Sequence, residues 1–353
     1  MMDTTTLELT MGKSEAYDGL PAKVITLTNR IGMQVAFMDI GATWLSCLVP
    51  VQERKREVLL GVTNMTDFDK QSSYMGVTVG RYANRIANGQ FEVDDKAYQV
   101  LTNQAGNALH GGPNGFDKRR WQVEAQSETH VVFTLNSEDG DQGFPGNLTV
   151  SVRYEITDDN DVTIRYFAQT DKATVVNLTN HGYFNLLGAE SGFDCLDHIL
   201  SVNSAQYLPT TEVGIPLGEL ESVDGTGFDF REPKVISQQF MQDEQQVPAR
   251  GFDHSYLLNT DTQSGTCAAT VTSPDSLITL KLYTDKPAMQ LYTGNWLEGT
   301  PNRQDGEYVA HAGVALETQF LPDSPNHPEW PQPSCILQPS EEYSFYTRYQ
   351  FVV

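Results

Sequence analysis

Basic side chains are scarce in this chain: 23 Lys and Arg stand against 46 Asp and Glu in 353 residues, a formal net charge of −23. A surface of that sign repels a phosphate backbone instead of releasing its counterions, which excludes nucleic acid as an expected partner. Anionic membrane surfaces are disfavoured for the same reason, and a phosphorylated ligand would need a local cationic pocket. Cysteine is equally sparse. Cys47, Cys195, Cys267 and Cys335 form no C-x-x-C spacing, so buried reduced thiols are expected in place of a zinc knuckle or a redox motif. No run approaches the ~18 consecutive apolar residues of a membrane span, and the opening residues have neither the basic start nor the apolar core of a secretion signal. A cytoplasmic protein without membrane contact is expected.

Linkers, charge blocks, low-complexity tracts and internal repeats are also missing, which predicts one continuous domain over residues 1–353. Met11-Gly12-Lys13-Ser14 imitates the end of a phosphate-binding loop, but Leu7 stands where the first glycine is needed and no strand-to-helix pattern surrounds it. Helical periodicity is rare. The best stretch, Lys234 to Met241 after Pro233, has Ile236 and Phe240 four apart and is about two turns long.

What the chain does have is two-residue alternation. Leu148, Val150, Val152, Tyr154 and Ile156 share one face, with Thr149, Ser151, Arg153 and Glu155 on the other. Asp158-Asp159-Asn160-Asp161 reads as a turn, after which Val162, Ile164 and Tyr166 resume the pattern, predicting an antiparallel hairpin. Further strands are expected over 24–28, 33–38, 131–135, 277–284 and 345–352, separated by Gly, Pro, Asn and Asp clusters. Many strands with few short helices predict an all-β fold, a large antiparallel β-sandwich.

Five segments pack polar and ionisable residues among glycines and aromatics in a way that strand cores do not require: 80–89, 108–121, 177–186, 251–258 and 313–333. Glu317, within Val314-Ala315-Leu316-Glu317-Thr318, is an acid in a β-forming run. Buried there its pKa would rise, which suits a general base; facing out it would be an ordinary strand glutamate. His181 precedes Gly182-Tyr183-Phe184, and its imidazole can donate a proton near neutral pH or serve as a core histidine. His110, before Gly111-Gly112, poses the same choice, and the glycines would permit close backbone approach to a ligand. Asn84 and Arg85 can hydrogen-bond a polyol, although Arg85 could equally pair with a surface carboxylate. Asp253 is similarly open. Gln290 alternates like an outward strand residue, and Trp296 could stack on a sugar face or sit at a rim. Two histidines with Asp253 or Glu317 could also bind a metal, but no local spacing such as H-E-x-x-H supports that.

In this order, GRYANRI, LHGG followed by GFDKRRW, NLTNHGYFNL, GFDH and LETQFLPDSPNHPEWP resemble the aldose 1-epimerase family over almost the whole chain. The resemblance implies a large antiparallel β-sandwich with its site in a cleft on one sheet, and an isomerase that interconverts the α and β anomers of free hexoses. It implies Glu317 as base and His181 as acid, with Asn84, Arg85, His110, Asp253 and Gln290 holding the sugar, and neither cofactor nor metal. A small free aldohexose is the expected partner, and a monomer or weak homodimer the expected state. Rival readings are a hexose-6-phosphate epimerase drawing on Lys118, Arg119 and Arg120, a non-catalytic carbohydrate-binding protein, and a glycoside hydrolase using Glu317 with Asp253.

Overall fold

The computed structural model describes residues 4–353. Three antiparallel sheets carry the chain. The largest has nine strands, in the order Gln122–Gln126, His130–Ser137, Leu148–Ile156, Asp161–Thr170, Tyr343–Val352, Thr279–Thr284, Ala269–Thr272, Ile199–Val202 and Lys234–Val235. The second has six: Tyr183–Phe184, Val314–Gln319, Ala288–Tyr292, Asp253–Leu257, Gln206–Leu208 and Glu221–Ser222. The third is the N-terminal meander Val24–Thr28, Gln34–Met38, Thr43–Val51 and Arg54–Glu57. Among the described residues no helix is long and apolar enough to cross a membrane.

The alternation at 148–156 is realised as expected: Leu148, Val150, Val152, Tyr154 and Ile156 are buried, and the intervening residues are exposed or half-buried. The hairpin partner begins at Asp161, pairing Ile156 with Val162, and Asn160 turns the chain with φ +56°, a left-handed conformation that asparagine tolerates. Some strand ends differ from expectation by one or two residues, as at Gln34–Met38, Thr279–Thr284 and Tyr343–Val352. The helix expected over 234–241 is corrected more substantially. Lys234 and Val235 pair with Leu200 and Ile199, and only Ile236–Gln239 is helical. The amides of Ile236 and Ser237 donate to His198 and Leu196, so tertiary hydrogen bonds override a weak local period. Among the described residues three further α-helices carried no readable period: Thr4–Met11, Gln246–Ala249, and Met65–Lys70, where the Asn64 side chain accepts from the Asp67 amide at the first turn. Cys47, Cys195 and Cys335 are buried and Cys267 is half-buried, all four free.

Aromatic rings tie the sheets together. Phe37 stacks on Tyr154 at 4.3 Å, Trp44 meets Tyr349 edge-on at 5.5 Å, and Phe184 lies 5.2 Å from the same Tyr349. Phe184 thus anchors the edge of the six-stranded sheet to the nine-stranded one. Truncating such a fully buried ring costs about 3–5 kcal/mol. The opposite face of the six-stranded sheet is left to carry polar groups.

Candidate active site

Strand alternation decides which side chains reach that face. In Val314–Gln319, Leu316 joins the core and its carbonyl accepts from the Tyr349 hydroxyl at 3.1 Å, while Thr318 bonds Thr347 of the nine-stranded sheet. Glu317, between them, must point the other way. Register then sets its neighbours. Glu317 lies opposite Gln290, and Gln290 opposite Ser255. One row along, Tyr183 lies opposite Ala315, Ala315 opposite Tyr292, and Tyr292 opposite Asp253. Three strands and an edge therefore present two cross-strand rows to one cleft.

The remaining groups arrive from loops over this sheet. His181 follows the short pair formed by Thr179–Asn180 with Thr78–Val79, and its backbone is pinned twice: its amide donates to Val77 at 2.9 Å and its carbonyl accepts from Gly76 at 2.8 Å. Next in chain, Tyr183 lines the cleft and Phe184 enters the core. Asn84 precedes, and Arg85 opens, a two-residue ladder in which Arg85 opposes Leu109, bringing His110 alongside. Asn84 and His110 hold φ values of +65° and +53°, and exchange hydrogen bonds: the His110 amide donates to the Asn84 carbonyl, and the Asn84 amide to His110 Nδ1, both at 3.1 Å. Gly111 serves local packing: at φ +87°, a Cβ there would stand 2.0 Å from the Gly80 carbonyl oxygen.

The cleft encloses about 210 Å³ and is lined by Asn84, Arg85, His110, His181, Asp253 and Glu317, with Tyr74, Tyr183, Tyr292 and Trp296 as aromatic walls. His181 Nε2 lies 3.4 Å from Glu317 Oε1, and the two side chains are 5% and 3% exposed. Burial pushes the Glu317 carboxyl well above its ordinary range, helped by the nearby Asp253 charge and opposed by Arg85. Burial pushes His181 down to about 4 and His110 well below its ordinary value. Glu317 Oε2 and His181 Nδ1 have no hydrogen-bond partner among the described residues. Because His110 Nδ1 accepts from an amide, the neutral ring must carry its proton on Nε2.

Asp253 is held by two groups. The Gln290 amide donates to its Oδ1 at 2.7 Å, and Arg85 Nη2 lies 3.9 Å from its Oδ2. Gln290 is therefore no outward strand residue: it is buried, accepts from the Ser255 hydroxyl, and reaches the cleft through Asp253. Arg85 also donates to Gln104 at 3.1 Å, and is backed by Gly214, whose Cβ would meet the guanidinium at 2.5–2.8 Å. Trp296 is 57% exposed at the rim, with the Arg250 guanidinium 4.3 Å over its ring.

The sequence reading missed Tyr74, Gln104 and Tyr292. Tyr292 shares Gln290's alternation and was recoverable from it; Tyr74 and Gln104 lie in irregular segments without a local signal. The structure corrects the basic cluster. Lys118 donates to the Pro113 carbonyl, Arg119 pairs with Asp141, and Arg120 with Asp18 and Asp39, so these cations are satisfied and none lines the cleft. The metal alternative does find a cluster, since donor atoms of His110, His181 and Glu317 lie within 4.8 Å of one another. The chemistry of the set fits poorly. A metal-binding imidazole donates from its other nitrogen to a carbonyl or carboxylate, whereas the other nitrogen of His110 faces an amide donor.

Comparison with known proteins bears on this geometry. The sequence pattern of the family described as aldose 1-epimerase matches residues 23–350. The chain is 49% identical to the aldose 1-epimerase of Escherichia coli over 338 residues, 96% of this chain and 97% of that protein. It is 40% identical to the human galactose mutarotase over 303 residues, 86% of each. Among solved structures, the galactose 1-epimerase of Lactobacillus acidophilus superposes with a TM-score of 0.83 at 31% identity, covering 96% of this chain and 97% of that one. The aldose epimerase homologue of C. elegans gives 0.86 at 28% identity, covering 94% and 99%.

Proposed function

The chain belongs to the aldose 1-epimerase family, and we propose that its cleft opens and recloses the pyranose ring of free aldohexoses such as D-galactose and D-glucose, with Glu317 as base and His181 as acid. It is an isomerase acting on carbohydrates. The observation that carries the assignment of roles is the 3.4 Å approach of His181 Nε2 to Glu317 Oε1 at the cleft.

In the ring form, the anomeric hydroxyl and the ring oxygen are both bonded to C1, so one carboxylate and one imidazolium side by side can serve both. Glu317 takes the proton from O1; the O1 electron pair forms the aldehyde C=O as the bond from C1 to O5 breaks; His181 gives its proton to O5. Rotation about the C1–C2 bond exposes the other face of the aldehyde, and the reverse proton movements close the ring on the opposite anomer. The charge bookkeeping suits this site. The step turns an ion pair into a neutral acid and a neutral imidazole, and burial favours the neutral forms of both groups.

Around that pair, the Nε2–H of His110 and the Arg85 guanidinium supply donors for the negative charge that develops on O5. Asn84 and Asp253 would hold other hydroxyls, and Gln290 would keep Asp253 aimed. The paired state of Lys118, Arg119 and Arg120 argues against a 6-phosphate substrate, because among the described residues the one Lys or Arg lining the cleft is Arg85, itself beside Asp253. Polarimetry on freshly dissolved α-D-galactose and α-D-glucose tests the proposal. Faster decay to the same final rotation with the protein, lost with Glu317→Gln and with His181→Asn, is expected; equal decay with either variant overturns the roles.

A further inference from the structure

Tyr74 is held in a conformation that its residue type disfavours, against both site histidines. Its φ is +57°, a left-handed value that asparagine and glycine adopt readily and tyrosine does not. Residues kept in such regions persist only where their surroundings over-determine them, and they cluster at functional sites. Here the surroundings are explicit. Gln71 Oε1 accepts from the amides on either side, Ser73 at 3.0 Å and Met75 at 3.3 Å. The Tyr183 hydroxyl donates to the Ser73 carbonyl at 2.9 Å, and Tyr74's own carbonyl accepts from Val77. The result aims the Tyr74 ring into the cleft, 6.1 Å from His181 at an interplanar angle of 16°, and edge-on to His110 at 4.6 Å. His181 also stacks with Tyr183 at 4.7 Å and 28°. The His181 ring has few polar restraints of its own: its Nδ1 has no hydrogen-bond partner among the described residues, so aromatic faces fix its plane.

We infer that Tyr74 is a positioning residue for proton transfer, its ring holding the His181 imidazole in the plane that aims Nε2 at the ring oxygen, with Gln71 holding Tyr74 from outside the cleft. This rests on the reading of His181 as the acid. The ring, not the hydroxyl, does the positioning, and an aromatic face also stabilises an imidazolium, which places the effect on the turnover step and not on sugar binding.

The test compares Tyr74→Phe, Tyr74→Leu, Gln71→Ala, His181→Asn and the double variant Tyr74→Leu/His181→Asn, by kcat and KM for α-D-glucose mutarotation. Tyr74→Phe should stay within about 3-fold of the parent, while Tyr74→Leu should lose at least ~10-fold in kcat with KM nearly unchanged. Gln71→Ala, at a residue whose side chain reaches the site only through the backbone amides of Ser73 and Met75, should lose an intermediate factor in kcat. The double variant should be no slower than His181→Asn alone, because a ring that acts through His181 has nothing left to position. Loss in Tyr74→Phe equal to that in Tyr74→Leu, a loss confined to KM, or fully multiplicative losses in the double variant would each overturn the inference. Undiminished turnover of His181→Asn would instead remove the acid assignment on which it rests, so the two failures are distinguishable.

Discussion

His181 Nε2 faces Glu317 Oε1 across 3.4 Å in a pocket where neither side chain is more than 5% exposed. Burial raises the Glu317 carboxyl and lowers the His181 imidazole, so the two groups are expected to titrate as a coupled pair. Carboxylate with imidazolium, and carboxylic acid with imidazole, hold the same number of protons; in the proposed reaction the bound sugar would convert one into the other.

The pair therefore titrates as a unit with two macroscopic limits. Below the first, both groups are protonated and Glu317 cannot accept; above the second, neither holds the mobile proton and His181 cannot donate. The rate profile should be bell-shaped. Its acid limb should lie well below the ordinary imidazole value of 6.5, toward about 4, and its alkaline limb above the ordinary carboxyl value of 4.5. A pH series of initial polarimetric rates, extrapolated to saturating sugar, measures both limbs; an acid limb centred at 6.5 would contradict the pairing.

Glu317→Gln should lower kcat by ~10²–10⁴-fold, the usual range for loss of a general base, with KM changed by less than about 3-fold. The substitution keeps shape and removes a buried ionisable group whose Oε2 has no partner, so the unfolding midpoint should hold or rise. Thermal unfolding beside the kinetics separates loss of chemistry from loss of fold. His181→Asn should show the same kcat penalty.

Gln290→Leu should act on binding. It removes the donor to Asp253 Oδ1 and the acceptor for the Ser255 hydroxyl, a loss on the order of 1 kcal/mol per uncompensated hydrogen bond. KM should rise roughly 5- to 30-fold with a smaller change in kcat, measured across a galactose concentration series. An unchanged KM would show that Asp253 needs no such support.

Prolonged dialysis against EDTA should leave the rate unaltered. The expectation derives from His110, whose Nδ1 accepts from the Asn84 amide and so cannot orient a metal-bound ring in the usual way. Loss of activity restored by one divalent metal would refute it.

The strands were largely legible because their alternation is a local property. Residues 148–156 alternate whatever lies around them, and the structure buries the face expected. The segment 234–241 was misread because its hydrogen bonds go to residues 196–200, and no nearby sequence records that pairing. Within the site, the family motifs pointed to Glu317, His181, His110, Asn84, Arg85 and Asp253, six side chains that line a single cleft. Gln290 was found but its station behind Asp253 was not, since that depends on cross-strand register with Ser255 and Glu317.

By itself the sequence determined the all-β class, the acidic character that disfavours phosphate ligands, and the chemical inventory, because periodicity, charge and residue type need no partners to be read. Only the tertiary structure decided that Glu317 faces the cleft and not solvent, that Lys118, Arg119 and Arg120 are spent on Pro113, Asp141, Asp18 and Asp39, and that a left-handed Tyr74 lies against both histidines. Each of these depends on the distance between atoms far apart in the chain. Desolvation, which raises the Glu317 carboxyl and lowers the His181 imidazole, exists only once the sheets have closed over them.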